Sequence, residues 1–399
     1  MNTDMHAPYI YLDWAATTPP DPDIVHKSMD LSLEFYGNPS SAHRTGREAH
    51  RFLEEARRRL VTALGLDTLS GKLIFTASGT EADQIPFLSL LRGMRALSLR
   101  KIHLVVSAIE HAAIECQAGI LERMGVEVSW VYPDERGHIH PEDVASRIRK
   151  ETALVAVMAV NNETGAVQDI PAIARAIAEA SRTLGVKKPW LHTDAVQATA
   201  KLPLAEHCGQ ADSIALSAHK IRGLKGTGAL WLSKNLEPLA CGGGQEQGIR
   251  AGTENVAGAL AFSFAAESAM SNFESLLVHA RALEMRLLTG IASIPGACVV
   301  PQRIPQDPSY VPNIVSAAFP GLGGETMVRA LSDAGIAVST GSACSNNKRK
   351  KGRRILSAMG IPDDISFSAI RVSTGPLTTI QDIDSFLEHA EDLYRKLKT

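Results

Sequence analysis

A lysine at the end of an apolar strand is well placed for covalent chemistry. In this 399-residue chain the run Ser213-Ile-Ala-Leu216 leads into Ser217-Ala218-His219-Lys220, and Gly223, Gly226 and Gly228 follow. An amine held there, partly out of water, sheds its proton readily and condenses with a carbonyl to a Schiff base. Alone it would read as an ordinary surface lysine at a strand–loop junction. Two further strand ends change that reading. Asp194 closes Trp190-Leu-His-Thr193. Its carboxylate could simply cap a helix, or it could pair with a pyridinium nitrogen and make the ring an electron sink. Gln197, three residues on, reaches the same side if a helical turn follows, within range of a ring hydroxyl. Ser78-Gly79-Thr80-Glu81 follows Lys72-Leu-Ile-Phe-Thr76. Backbone N–H groups at such a helix start, beside a hydroxyl, suit a phosphate, although the same residues also form a capping sequence. Amine, carboxylate and anion cradle at three strand ends are the set a pyridoxal phosphate needs, and open α/β sheets bind ligands at that edge.

The second chemical candidate is Cys344. Gly341-Ser-Ala-Cys344-Ser345 is followed by Asn-Asn-Lys-Arg-Lys-Lys-Gly-Arg-Arg. Neighbouring cations lower a thiol's pKa and make it nucleophilic. The other four cysteines, Cys116, Cys208, Cys241 and Cys298, sit in apolar or helical settings and read as structural. Five scattered cysteines without a CxxC pair indicate neither a disulfide framework nor a structural zinc site, so no metal is expected. A formal charge of -2 gives no whole-chain pull toward nucleic acid or an anionic membrane. No apolar run reaches the roughly 18 residues of a spanning helix. Met1 to Pro8 carries neither a signal core nor an import helix, so a cytoplasmic home is expected.

The elements that must position these groups alternate. Strands are predicted at Lys72–Thr76, Ile102–Val106, Val126–Val131, Ala153–Val160, Trp190–Thr193, Ser213–Leu216 and Gly228–Leu232. Helical periodicity appears between them, most clearly over Pro171–Leu184. This alternation predicts an α/β layered domain around a mostly parallel sheet. From Asn255 to about Leu288 the pattern becomes long and helical. Asn313–Phe319, Glu325–Leu331 and Ser368–Val372 then suggest a smaller α+β unit, closed by an amphipathic helix over Thr379–Leu397. The boundary is expected within a helix near 255–270, which divides the chain into residues 16–262 and a unit of 1–15 with 263–399.

The motifs resemble those of the bacterial IscS/NifS-type cysteine desulfurases, a branch of the class V aminotransferases. The match is carried by Tyr11-Leu-Asp-Trp-Ala-Ala-Thr-Thr18, Gly37-Asn-Pro-Ser40, Glu110-His111, Val160-Asn-Asn-Glu-Thr-Gly165 and Asp194-Ala-Val-Gln197. It continues through Ser217-Ala-His-Lys220, Arg250-Ala-Gly-Thr253, Ser339-Thr-Gly-Ser-Ala-Cys344 and Ile370-Arg371. The resemblance implies the fold-type I, aspartate-aminotransferase-like architecture, with a mostly parallel seven-stranded sheet and a small α+β domain. It implies pyridoxal 5'-phosphate on Lys220, with Asp194 at the ring nitrogen, Gln197 at the ring oxygen and His111 stacked on the ring. Gly79, Thr80, Ser217 and His219 would surround the phosphate, and Thr253 would reach the phosphate of a second subunit in a homodimer. Asn162, counted with the cofactor site as well, and Arg371 would hold the substrate amino acid, Arg371 by a two-pronged bond to its carboxylate. Cys344 would take the sulfur of L-cysteine as a persulfide, leave alanine, and pass the sulfur to an iron–sulfur scaffold or sulfur carrier.

The chain departs from that pattern. Lys348, Arg349, Lys350, Lys351, Arg353 and Arg354 replace a neutral or acidic segment, as either a solvated charged face or an altered docking surface for an acidic partner or nucleic acid. Gln247 stands where an arginine is common, and Gln84 where asparagine is. A selenocysteine lyase or related β-eliminating lyase, and an inactive scaffold for sulfur-transfer partners, are the alternative readings. No GxGxxG follows the first strong strand, which disfavours a dinucleotide-binding protein.

Overall fold

The computed structural model describes residues 9–92, 101–341 and 353–398. Its central layer is a seven-stranded sheet of β2 (Lys72–Thr76), β3 (His103–Ser107), β4 (Glu127–Val131), β5 (Thr152–Ala156), β6 (Trp190–Asp194), β7 (Ser213–Ser217) and β8 (Gly228–Leu232), with β1 (Ile10–Tyr11) outside it. The order is β2-β8-β7-β6-β5-β3-β4. Pairs from β7 to β4 are parallel, and β8 runs antiparallel to both neighbours. Because β8 alone is reversed, the carboxyl end of β2 returns to the same edge as those of β3, β5, β6 and β7. That edge collects the candidate site.

Strands buried on both faces read as continuous apolar runs, and β7 and β8 are buried at every position. The helices that cover the sheet include α1 (Pro22–Glu34), α2 (Arg44–Ala63), α3 (Gly79–Ser89), α4 (Ala112–Arg123), α5 (Pro141–Ala145), α6 (Ile170–Thr183) and α7 (Leu204–Cys208). Each strand lies within a few residues of its predicted range, with one difference. The apolar stretch 153–160 leaves the sheet after Ala156. The Val157 and Ala159 amides still bond the His192 and Asp194 carbonyls, at 3.2 and 2.8 Å, before the chain turns at Asn161.

The long helical pattern after Asn255 is two helices, α8 (Val256–Ser271) and α9 (Phe273–Ser293), broken at Asn272. A second sheet orders β12 (Ala369–Ser373), β10 (Ile314–Ala318) and β9 (Cys298–Val299), all antiparallel. Around it lie α10 (Gly324–Asp333), α11 (Arg354–Ala358), α12 (Asp363–Ser368) and α13 (Ile380–Leu397), the last opened by a Thr379–Asp382 capping box. β1 returns to this part of the molecule and pairs in parallel with β11 (Ile336–Ala337). A second apolar cluster, built on Leu287, Ile291, Val315, Phe319, Ile370, Val372 and Phe386, also takes in Leu12.

Candidate active site

Lys220 lies in a tight turn just after β7, half-buried, and its Nζ donates to the carbonyls of Ala15 (2.6 Å) and Ala16 (2.7 Å). Burial pushes its pKa down to about 8, Arg371 adds to the effect, and Asp194 and Asp13 oppose it. An amine in that range is neutral often enough to attack a carbonyl near neutral pH. Asp194, at the end of β6, is buried and accepts from the Val196 amide at 2.9 Å. Desolvation pushes its pKa up, against the pull of His111 and Lys220. Gln197 is buried and donates to the same Ala15 carbonyl at 2.8 Å. Lys220 and Gln197 therefore share one anchor in the N-terminal segment.

His111 caps α4, its Nδ1 accepting from the Ala113 amide at 3.2 Å, while the residue stays exposed. Its proton affinity is lowered chiefly by desolvation, with Asp194 opposing and Lys220, Arg354 and Arg371 adding. The cap uses Nδ1 and leaves Nε2 uncommitted to it. Glu110 behind it is fully buried, accepting from the Ser107 hydroxyl and from the Met158 amide at 2.7 Å. Burial raises its pKa to about 8.

A capped helix start follows β2, at the place the sequence offers for an anion. Ser78 caps α3 through Oγ, which accepts from the Glu81 amide at 3.1 Å, and the first amides of the helix have no intrahelical partner. Ser217 is buried beside it: a Cβ placed on Gly79 would sit 3.4 Å from the Ser217 Cβ. β8 must start with glycine, because a Cβ on Gly228 would lie 2.4 Å from the Ser78 carbonyl carbon. His219 holds Thr17 Oγ1 at 3.1 Å. Thr80 and Thr253 are both exposed. Thr253 belongs to a loop tied back to α3 through Arg250 Nε and Glu81 Oε1, 3.2 Å apart.

On the other wall Arg371 of β12 is buried, donating from Nη1 to the Asn162 carbonyl (2.8 Å) and from Nη2 to Asp13 Oδ1 (2.7 Å). Among the described residues, the Arg371 Nε and the Asn162 Oδ1 are buried without hydrogen-bond partners. Buried polar atoms are rarely left unbonded, so this pair marks a place for a polar ligand. These atoms, the lysine, the buried acid and the open helix start suit a phosphorylated pyridine aldehyde bearing an amino acid. Cys344 lies outside the described residues. Among those residues, no group of three or more His, Cys, Asp or Glu could hold a metal ion, and no helix is long and apolar enough to cross a membrane.

Asp13 and Lys201 were not legible as site residues. Lys201 lines a cavity of about 270 Å³ with Trp14, Ala15, Lys220, Arg222 and Asn313. Burial and the nearby Lys220 push it down to about 7, and its Nζ reaches Gln197 Oε1 at 3.5 Å.

The class-V aminotransferase model matches residues 10–386. The cysteine desulfurase IscS of Dictyoglomus turgidum is 33% identical, covering 98% of this chain and 95% of its own. A cysteine desulfurase of Cereibacter sphaeroides is 37% identical over 95% of this chain and 94% of its own. Among solved structures, a NifS-like protein superposes with a TM-score of 0.85 at 30% identity, covering 98% of this chain and all of that one. Likeness over nearly the whole length leaves one assignment: the chain belongs to the class-V aminotransferase family, beside the IscS and NifS proteins.

Proposed function

We propose that this protein is a pyridoxal-phosphate-dependent cysteine desulfurase that takes sulfur from L-cysteine onto Cys344 and releases L-alanine. The observation that carries the reading is the juxtaposition at one sheet edge of a lysine with its pKa brought to about 8 and a buried aspartate. Pyridoxal phosphate, when bound, supplies an electron sink for the carbon from which a proton is removed. Lys220 would hold it, Asp194 would face its ring nitrogen, Gln197 its ring oxygen and His111 its face. Gly79, Thr80, Ser217 and His219 would take the phosphate.

The chain's own groups then divide the work. Arg371 and Asn162 fix the substrate carboxylate; each terminal nitrogen of Arg371 keeps a second N–H beyond those used by Asp13 and Asn162. Lys220, neutral above about pH 8, accepts and returns the proton at the substrate's Cα. Cys344, as thiolate, attacks the substrate sulfur and breaks its bond to carbon; the electron pair of that bond stays with the carbon fragment, which becomes alanine after protonation.

The division into residues 16–262 and 1–15 with 263–399 is supported by the two apolar clusters and by the pairing of β1 with β11. The larger cluster also draws in Val311, Ile314, Ile355 and Met359, so the two units share packing. A homodimer in which Thr253 serves the neighbouring site is consistent with its exposure here. An iron–sulfur scaffold or a sulfur carrier is the acceptor class that the motif resemblance implies, and a cytoplasmic location goes with it.

Purified protein given pyridoxal phosphate should turn yellow and convert L-cysteine to alanine and sulfide under a thiol reductant. Cys344→Ala should keep the colour and lose sulfur release. Undiminished sulfide from that variant would overturn the role of Cys344.

A further inference from the structure

Arg353 and Arg354 close the basic run that follows Cys344, where a charged docking face was one expectation. Lys348, Arg349, Lys350 and Lys351 lie outside the described residues; Arg353 is half-buried and Arg354 exposed, yet both guanidinium groups bond carbonyls of the chain itself. Arg354 Nη1 donates to the Ala108 carbonyl at 2.6 Å and Nη2 donates to the Glu110 carbonyl. These two carbonyls flank the turn between β3 and α4, where the strand ladder has ended and the helix has not begun. Backbone acceptors in such a place need partners from elsewhere. Between them, the Ile109 carbonyl accepts from Asn161 Nδ2 at 3.0 Å. All three carbonyls of the turn are therefore held by side chains from distant segments, and His111 is the next residue.

The base of Arg354 is itself fixed. The Arg353 amide donates to Ser366 Oγ at 2.9 Å and its Nε to the Ser366 carbonyl at 3.1 Å. Ile355 and Leu356 are buried in the larger core. Burial lowers the pKa of Arg353 to about 10, with Glu163 and Glu325 opposing. Two parallel donors on a planar fork match two carbonyls of one turn, which an ammonium cannot do.

We propose that Arg354 is a positioning residue of the active site, clamping the 108–110 turn so that the direction and protonation of the His111 ring are set from the far end of the sequence. This rests on the reading of His111 as the residue that faces the cofactor ring. The charges that face His111 are Asp194 at the end of β6, Lys220 after β7, Arg371 on β12 and Arg354 on α11, and on its own segment Glu110 and Glu115. Asp194 favours the imidazolium, whereas the three cations disfavour it. Removing Arg354 takes away one cation together with the clamp.

The test uses the full-length protein with Arg354→Lys and Arg354→Gln. The His111 imidazole is titrated by NMR in cofactor-free protein, its signal assigned by loss in His111→Gln, and kcat and KM for cysteine are measured in the loaded enzyme. Arg354→Gln should raise the His111 midpoint by about half a pH unit, the effect of one partly screened charge. It should also lower kcat about tenfold, as expected when a proton-handling group is misplaced, with KM within about twofold. Arg354→Lys keeps the charge but loses the fork, so it should restore most of the midpoint and only part of kcat. An unchanged His111 midpoint in both variants would overturn the proposal, whether or not their thermal stability falls. If His111→Gln leaves the cofactor absorbance and turnover untouched, the ring-facing role of His111 fails instead, and the cofactor-free titration shows which idea is at fault.

Discussion

At the scale of single residues, the amine of Lys220 decides what the site can do. Its depressed pKa has a signed consequence. An unfolded lysine binds its proton up to about pH 10.5, whereas the folded one releases it near pH 8. Between these values the neutral amine is available only in the folded protein. The rate at which the yellow colour appears on adding pyridoxal phosphate to cofactor-free protein should therefore climb with pH to a midpoint near 8. A rate flat from pH 6 to 9 would show that the amine is not held as described. Lys220 and Asp194 were legible because type and position coincide: a strong strand signal runs up to the functional group, whereas Arg371, in the middle of β12, was placed only by the resemblance. Asp13 and the Ala15 and Ala16 carbonyls were not, since no local pattern announces partners 358, 205 and 204 residues away. Lys201 escaped for a different reason. Its meaning lies in burial beside another lysine, and burial of a lysine leaves no mark in sequence.

At the scale of elements, the sheet edge is held by a pair that propensity could not reveal. β2 is an edge strand, yet its Phe75 amide is satisfied by Glu246 Oε2 at 2.8 Å. The same carboxylate receives both terminal nitrogens of Arg57 from α2, at 2.7 and 3.0 Å, and Arg57 also bonds the Leu73 carbonyl. Glu246 thereby bolts the loop leading to Thr253 onto the strand leading to Gly79. Breaking a buried ion pair by removing one partner leaves the other charge stranded, at a cost of about 3–5 kcal/mol. Glu246→Ala should lose about that much in denaturant unfolding, and a loss below about 1 kcal/mol would mean the pair is not buried as drawn. Glu246 and Gln247 both adopt left-handed backbone, with φ of 46° and 56°, a strain that the bolt must hold. The seven central strands were readable because a twice-buried strand is apolar throughout. The helices α1 and α2 lie ahead of the first strong strand and were not anticipated. The break at Asn272 was missed because neither glycine nor proline marks it.

At the scale of the whole molecule, residues 9–18 act as a strap between the two cores. Leu12 packs in the smaller cluster and Ala15 in the larger. The Ser373 amide donates to the Leu12 carbonyl at 2.8 Å, and the Ala15 amide donates to Ser373 Oγ at 2.9 Å. Asp13 within the strap aims Arg371. Asp13→Ala should raise KM for cysteine about tenfold while changing kcat less, because an aimed fork binds a carboxylate better than a loose one. Equal loss in kcat and kcat/KM would place Asp13 in the chemical step instead.

The strap also imposes an order on the protein's birth. Residues 9–18 leave the ribosome long before Ile336, Arg371 and Ser373, which receive them; Arg371 follows Asp13 by 358 positions. Because domains fold as they are synthesised, the large sheet can assemble long before its lysine finds the Ala15 and Ala16 carbonyls. A nascent chain stalled after Ser271 but short of Arg371 should then carry a formed sheet and an amine not yet tuned for its task.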